Sequence, residues 1–442
     1  MVKLGASNEV FYYGGRYNKT FNITYPMRFK EAFDLDLMKE SADQAIRCYP
    51  EFAIQPVIKD GVFTAEENTD PVAFIPEDGE ARTYGCDETN GYMFYFSYKD
   101  KDLTLHTFHG LTDVAGSEAF IGTMLYFYMK NKGISMDDGL LPVNVRTSPE
   151  DHKKEDFDDI FDPYRKYADP SAQKATVPVG GEVFQIPGEK FSDDINYNHE
   201  FLIKLPLSEF LKKTKEYGVS VAPLLMTLFA DAMDELYDMK DESFVSMMPV
   251  SMRRFFNSNT LVNFSDGVLM VQDAPDRKKS LQERCLLLKQ EMDKMLTKES
   301  FSRIIADKVA ATDKSIEKAR AEYESGRTQP ETVQAGSGQV KTVQMPKLPF
   351  TMGISYAGKV TFGEQIDAML ESIATVAHAS VYVILINTFG DVMTISYSQR
   401  HDRDDEVRSL QRVLEKHGFD AEIVDLGHLC KDMLDPEMME QR

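Results

Sequence analysis

His109 and Asp113 are the residues whose type and spacing point most directly to chemistry. They stand in Phe108-His109-Gly110-Leu111-Thr112-Asp113-Val114-Ala115-Gly116, directly after the aromatic and β-branched run Leu103–Phe108. A neutral imidazole suits removal of a proton from a hydroxyl or amine near pH 7. Gly110 beside it clears space for a substrate to approach. A carboxylate in the same short loop can fix that loop or the ring. The same residues also allow a structural reading, in which His109 packs on a sheet and Asp113 caps a helix beginning near Val114. Spacing by itself leaves both open.

Other chemistries fit less well. His106 and His109 invite a zinc site, but positions three apart on a strand point to opposite faces, and no further ligands lie nearby. No G-x-S-x-G elbow is present, which disfavours an α/β-hydrolase. Gly336-Ser337-Gly338 and Gly180-Gly181 lack the Lys-Ser/Thr that completes a phosphate loop. The acidic runs Glu150–Asp162 and Asp402–Glu406 lack the alternation and glycine of a calcium loop, so a solvated face is expected for both. Cys48, Cys86, Cys285 and Cys430 form no C-x-x-C pair and read as reduced thiols.

The elements that must position His109 follow from periodicity. Tyr92–Tyr98 and Leu103–Phe108 predict a hairpin around Lys99-Asp100-Lys101-Asp102. Ser117–Lys130 predicts a very apolar helix carrying Phe120, Ile121, Met124, Leu125 and Phe127. Upstream, residues 28–50 predict a helix stopped by Pro50, and Phe52–Ile58 a short strand with a Lys59-Asp60-Gly61 turn. Residues 131–190, rich in proline and acidic side chains, predict a long surface connection with a short helix near Phe157–Tyr167 and a lobe boundary. Beyond it come strand Glu200–Leu205, helix Leu207–Tyr217 ended by Gly218, buried helix Ala222–Tyr237, and strands Phe244–Ser251 and Val262–Val271. Charged helices over 280–325, a polar loop at Thr328–Pro346, a hairpin of Ala379–Asn387 and Val392–Ser398, helix Glu406–His417 and strand Ala421–Val424 complete the reading.

Composition bounds the rest. The chain has 442 residues, 42% hydrophobic and 11% aromatic, enough for a sizeable core in two or three domains. Fifty Lys and Arg against 72 Asp and Glu give a formal charge of −22. That balance argues against nucleic acid and against an anionic membrane surface as partners. No run is apolar and long enough to span a membrane, and residues 1–25 hold no apolar stretch of the signal-peptide kind, so a cytoplasmic protein is expected.

The ordered combination of these pieces resembles a known family. The segment Phe108–Gly116 is similar to the H-x-x-x-D-G signature of the chloramphenicol-acetyltransferase-like acyltransferases. That superfamily includes nonribosomal peptide condensation domains, wax ester synthases and alcohol acetyltransferases. Pro249-Val250-Ser251-Met252-Arg253-Arg254-Phe255-Phe256, with Thr260-Leu261-Val262-Asn263-Phe264, resembles the second-lobe segment of stand-alone bacterial alcohol acetyltransferase-like proteins. There a P-V-x-x-R stretch precedes an Asn-Phe strand. The Glu155–Tyr164 region and Ser220-Val221-Ala222-Pro223-Leu224-Leu225 fit in the same order.

The resemblance implies an α/β (α+β) fold of two chloramphenicol-acetyltransferase-like lobes in a V. Each lobe is a mixed sheet flanked by helices, and the active-site channel lies between them. Residues 1–190 would form the N-terminal lobe and 191–442 the C-terminal lobe. His109 becomes the general base and Asp113 a structural residue ion-paired with Arg253. Gly110, Gly116, Asn263 and Ser355 become substrate-side contacts. This chain departs from the pattern in having Val114 directly after the Asp, Phe108 before His109, and Ser355-Tyr356-Ala357-Gly358 for a Ser-Asn-Leu-Gly-like segment.

The implied reaction moves an acyl group from an acyl-CoA thioester to a small alcohol or amine, with no covalent acyl-enzyme, no metal and no cofactor beyond coenzyme A as co-substrate. The donor phosphates would meet Arg277-Lys278-Lys279 or Arg253-Arg254 on an otherwise repelling surface. Two alternatives stand beside it. One is a condensation enzyme using an acyl carrier protein; the other is a non-catalytic two-lobe binding or scaffold protein, motivated by Val114 and the changed Ser355 segment.

Overall fold

The structure is a computed structural model that describes residues 4–6, 8, 9, 12, 22–142, 145–151, 159, 161–187, 197–325, 348–378, 382–399 and 403–430. The polar loop at Thr328–Pro346 lies outside the described residues, as do Gly336-Ser337-Gly338 and Glu155-Asp156-Phe157.

The first sheet is built around β1 (Asn22–Phe29), which pairs antiparallel with β6 (Asp102–Phe108). The elements between are α1 (Leu35–Ile46), a separate hairpin of β2 (Ile54–Lys59) and β3 (Val62–Glu67), then β4 (Phe74–Pro76) and β5 (Phe94–Lys99). Asp60 and Gly61 turn the small hairpin at positive φ, 53° and 72°. Along β1, Ile23, Tyr25, Met27 and Phe29 alternate inward and are buried. The sequence reading ran a helix through residues 28–50; Arg28 and Phe29 instead close β1, and the helix begins at Leu35 behind the Asp34 cap. Pro26 hides this strand, because a proline argues against a central position. It fits here because two short strands, β11 (Leu370–Ile373) and β12 (Val376–His378), cover successive stretches of β1, and Pro26 falls in the gap between them. There its carbonyl still accepts Ala374 N at 3.1 Å.

Helix α2 (Val114–Asn131) covers this sheet. Phe120 meets Phe94 edge-on at 5.1 Å, and the Tyr49 hydroxyl donates to Ala119 O at 3.0 Å. A buried aromatic at such a position contributes about 3–5 kcal/mol when truncated.

After α3 (Pro163–Tyr167) comes the second sheet, in the order β15-β7-β14-β13-β10-β8-β9. Its strands are β7 (Tyr197–Pro206), β8 (Phe244–Ser251), β9 (Ser265–Gln272), β10 (Met352–Lys359), β13 (Val383–Phe389), β14 (Val392–Gln399) and β15 (Glu422–Cys430). Its helices are α4 (Leu207–Tyr217), α5 (Val221–Tyr237), α6 (Arg253–Phe256), α7 (Leu281–Met295), α8 (Lys298–Glu324) and α9 (Asp405–Lys416). In one row Ile354, Ile384, Tyr397 and Phe201 stand side by side and enter the second core. In the next row Ser355, Leu385, Ser396 and Leu202 take the opposite face. Leu202 packs there against Ala374 and Val376 of the segment that joins the first sheet.

The chain therefore crosses between the two sheets more than once. Residues 370–378 pair with β1. Asn387 holds that crossing, accepting Thr375 N at 3.0 Å and donating to Ile373 O at 3.1 Å. In the other direction Tyr164 and Phe184 belong to the second core, and Phe184 N donates to Ser243 O at 2.9 Å. A single cut at residue 190 does not separate the two cores. Among the described residues no helix is long and apolar enough to cross a membrane.

Candidate active site

His109 leaves the end of β6 and Asp113 opens α2, so both belong to one strand-to-helix turn. The two sequence readings of Asp113 turn out to describe one arrangement. Its side chain caps α2 by accepting Ala115 N at 3.1 Å, so the helix starts three residues before the apolar run suggests. It also accepts Arg253 through both terminal nitrogens, at 2.7 and 2.9 Å, and Phe264 N at 3.0 Å. Both side chains are nearly buried. Arg253 spends every N–H on this junction. Beyond Asp113 it reaches Thr260 O at 2.6 Å, Val262 O at 2.8 Å and Ser251 Oγ at 3.1 Å. Arg253 is therefore not available to a donor phosphate, which corrects one of the docking expectations.

The turn is fastened elsewhere to the same partner segment. Thr112 bridges to Val262, and its hydroxyl donates to Leu261 O at 2.5 Å. Gly116 sits in the first turn of α2, where an added Cβ would overlap Thr112 Oγ1 and the Leu261 carbonyl oxygen. That approach accounts for the glycine at 116. Val114 is half-buried against the first core. Asn8 donates to the buried Gly110 carbonyl at 2.8 Å.

His109 is held in one tautomer. Its Nδ1 lies 3.1 Å from Thr112 O, which can only accept, so we assign the proton to Nδ1 and the basic lone pair to Nε2. Asn263, wholly buried, donates from Nδ2 to His109 O at 2.9 Å and lies 3.3 Å from Nδ1. Asn263 Oδ1 accepts Ser265 N and Oγ at 3.2 and 2.9 Å. Desolvation pulls the imidazole below its ordinary pKa and Lys308 adds to this; the Thr112 carbonyl and Asp113 act the other way. The ring is neutral at pH 7 and competent as a base.

The other candidate residues have surroundings of their own. His106 stacks on Tyr95 at 4.3 Å and meets Ser97 Oγ at 2.9 Å, and burial pushes it down to about 3. Ser355 lies on β10, half-buried, on the face turned to the crossing segment. Burial pushes the Cys48 thiol up to about 12, so it stays protonated. Arg277 donates to the carbonyls of Glu242 and Lys240, and Lys279 pairs with Asp276 at 2.6 Å. Arg254 remains exposed beside Phe255.

Sequence reasoning missed two groups near this centre. Glu118, one turn into α2, has its carboxyl pushed up to about 8 by burial and by Asp113. Lys308 on α8 pairs with Asp266 at 2.8 Å. Neither has a motif around it; only packing reveals them.

No family model matches the chain, and no curated protein matches it. Solved structures do. The epimerization domain from the third module of tyrocidine synthetase B superposes with a TM-score of 0.58 at 13% identity, covering 94% of this chain and 96% of that one. TRI3 trichothecene 15-O-acetyltransferase from Fusarium sporotrichioides gives 0.57 at 15% identity, covering 93% of each chain. This chain has the chloramphenicol-acetyltransferase-like, condensation-domain fold. A further structure of that fold, F. sporotrichioides TRI101 complexed with coenzyme A and T-2, gives 0.55 at 12% identity over 96% of this chain and 99% of that one. The two-lobed mixed α/β architecture is thus the one expected from the Phe108–Gly116 and Pro249–Phe264 segments.

Proposed function

We propose that the protein is an acyltransferase that moves an acyl group from a coenzyme A thioester to a small alcohol or amine, with His109 as general base. The orientation of His109 carries this reading. Its Nδ1–H is tied to Thr112 O, so Nε2 is the nitrogen that can take a proton. Nε2 removes the proton from the acceptor hydroxyl or amine as the oxygen or nitrogen attacks the thioester carbonyl. The tetrahedral intermediate then collapses, the C–S bond breaks, and the proton passes from His109 to the departing thiolate. No covalent enzyme intermediate is needed. Asp113 and Arg253 stay out of the reaction, because each is saturated by the junction it makes. The coenzyme A complex of a protein with this fold supports the choice of donor.

Free thiol release tests it. Purified protein is mixed with acetyl-, butyryl- and longer acyl-CoA and a pool of alcohols and amines. Acceptor-dependent release that falls about 100-fold or more in His109→Ala supports the base. An unchanged rate in that variant refutes it. Turnover only with an acyl carrier protein as donor would place the protein with condensation enzymes, and no acceptor-dependent release with either donor would favour a binding role.

A further inference from the structure

Two asparagines grip consecutive carbonyls beside His109. Asn263 Nδ2 donates to His109 O at 2.9 Å, and Asn8 Nδ2 donates to Gly110 O at 2.8 Å. Asn263 comes from the segment that leads into β9, and Asn8 from the N-terminal segment, 102 residues before Gly110. Gly110 directly follows the imidazole, and glycine has the widest backbone freedom of any residue. The two carbonyls belong to the peptide planes on either side of Gly110. Pinning both removes that freedom at the point where it would let His109 swing.

The segment that delivers Asn8 is itself anchored. Leu4 enters the first core and Ala6 the second. Ala6 N donates to Asp162 Oδ1 at 3.1 Å, and Gly5 lies so close to Phe161 O that an added Cβ would overlap it. Asn8 N and Glu9 N both donate to Gly5 O at 3.0 Å. Glu9 pairs with Arg165 at 3.0 Å, and Arg165 pairs with Asp162 and with Asp313 of α8. The Tyr12 ring lies 5.1 Å from that of Phe63 and 5.3 Å from that of Phe108. The segment thus touches both neighbours of His109, Phe108 through Tyr12 and Gly110 through Asn8. Packing explains Leu4, Ala6 and Tyr12. It does not explain an amide at position 8, 3% exposed, since an apolar side chain would fill buried space without the cost of desolvating a polar group.

We propose that Asn8 is a positioning residue for His109: its amide, working with that of Asn263, locks the Gly110 backbone and so holds the imidazole where it accepts the proton. It acts through Gly110 and not on the reacting atoms. This deepens the general-base reading and rests on it.

The test compares Asn8→Asp, Asn8→Ala and Asn8→Gln in the full chain. Asp keeps the size and removes the donor; Gln keeps a donor one methylene further out. Hydrogen exchange read by mass spectrometry over residues 108–113 reports on the turn. In Asn8→Asp and Asn8→Ala, exchange there rises about 10-fold, the worth of one hydrogen bond, while β5 and the body of α2 keep wild-type rates. Asn8→Gln recovers part of the protection. In the thiol-release assay kcat falls about 10- to 100-fold in the Asp and Ala variants, and KM stays within about twofold. If Asn8→Asp does not fold, Asn8→Ala carries the same readout. Unchanged exchange over residues 108–113 in Asn8→Ala overturns the proposal, and so does a loosened turn with unchanged kcat. Exchange raised throughout both sheets, or loss of folding in both variants, marks a merely structural role and overturns it as well. Exchange needs no turnover, so failure of the acyltransferase reading is seen separately, as a wild-type protein that releases no thiol while Asn8→Ala still loosens the turn.

Discussion

Asp113 and Arg253 stand 140 residues apart in the chain and meet through two hydrogen bonds of 2.7 and 2.9 Å. This one pair caps the helix after His109 and binds the segment that runs from β8 to β9. It fastens the turn that carries His109 to the segment of the other sheet.

Removing both partners should cost less than the sum of the two single losses. Asp113→Ala leaves two guanidinium donors and Phe264 N–H without an acceptor, a loss of about 3–5 kcal/mol. Arg253→Met added to it should cost less than the sum of the single losses. Denaturant unfolding of the four species measures this coupling; additive losses would show that the pair does not act as a unit.

The acid limb of kcat/KM should lie below the ordinary histidine value of about 6.5. The folded-state pKa of His109 is lowered, so the neutral base persists to lower pH than in a free imidazole. A pH–rate profile whose midpoint lies above that value contradicts the assignment of His109 as the titrating base.

Gly116→Ala should disturb the turn more than a usual glycine substitution. The new Cβ meets Thr112 Oγ1 and a backbone carbonyl, and the backbone of Leu261 cannot swing aside as a flexible side chain does. We expect a loss of about 1–3 kcal/mol and weakened activity together. A melting temperature equal to wild type would mean that the α2–Leu261 approach is looser than described.

Glu118 should make stability fall with rising pH. Its folded-state pKa, about 8, lies above the ordinary 4.5, so its contribution is complete below about 4.5 and is lost as pH rises toward 8. Glu118→Gln removes the ionisation, and its melting temperature should exceed that of wild type more at pH 8 than at pH 5. An equal difference at both pH values refutes this.

Much of the site is legible in the sequence. His109, Asp113 and Arg253 sit in short segments whose order along the chain is itself distinctive. Alternation and helical spacing located the β5–β6 hairpin, α2, α4, α5 and β8 because each buries one continuous face. By contrast β1, β10, β11 and β12 escaped. Pro26 disguises β1, and the three others are short or glycine-containing strands whose burial depends on partners far away in the chain.

The sequence by itself determined the chemistry on offer: an imidazole on a strand-to-helix turn, a carboxylate in the same turn and an arginine in the other half. It also determined the local elements, since periodicity and capping act over a few residues. Tertiary structure decided the rest. The tautomer of His109 depends on where Thr112 O falls, and the company of Lys308 depends on a helix nearly 200 residues downstream packing beside β9. Orientation and electric field arise from distances between segments, and no local pattern encodes those.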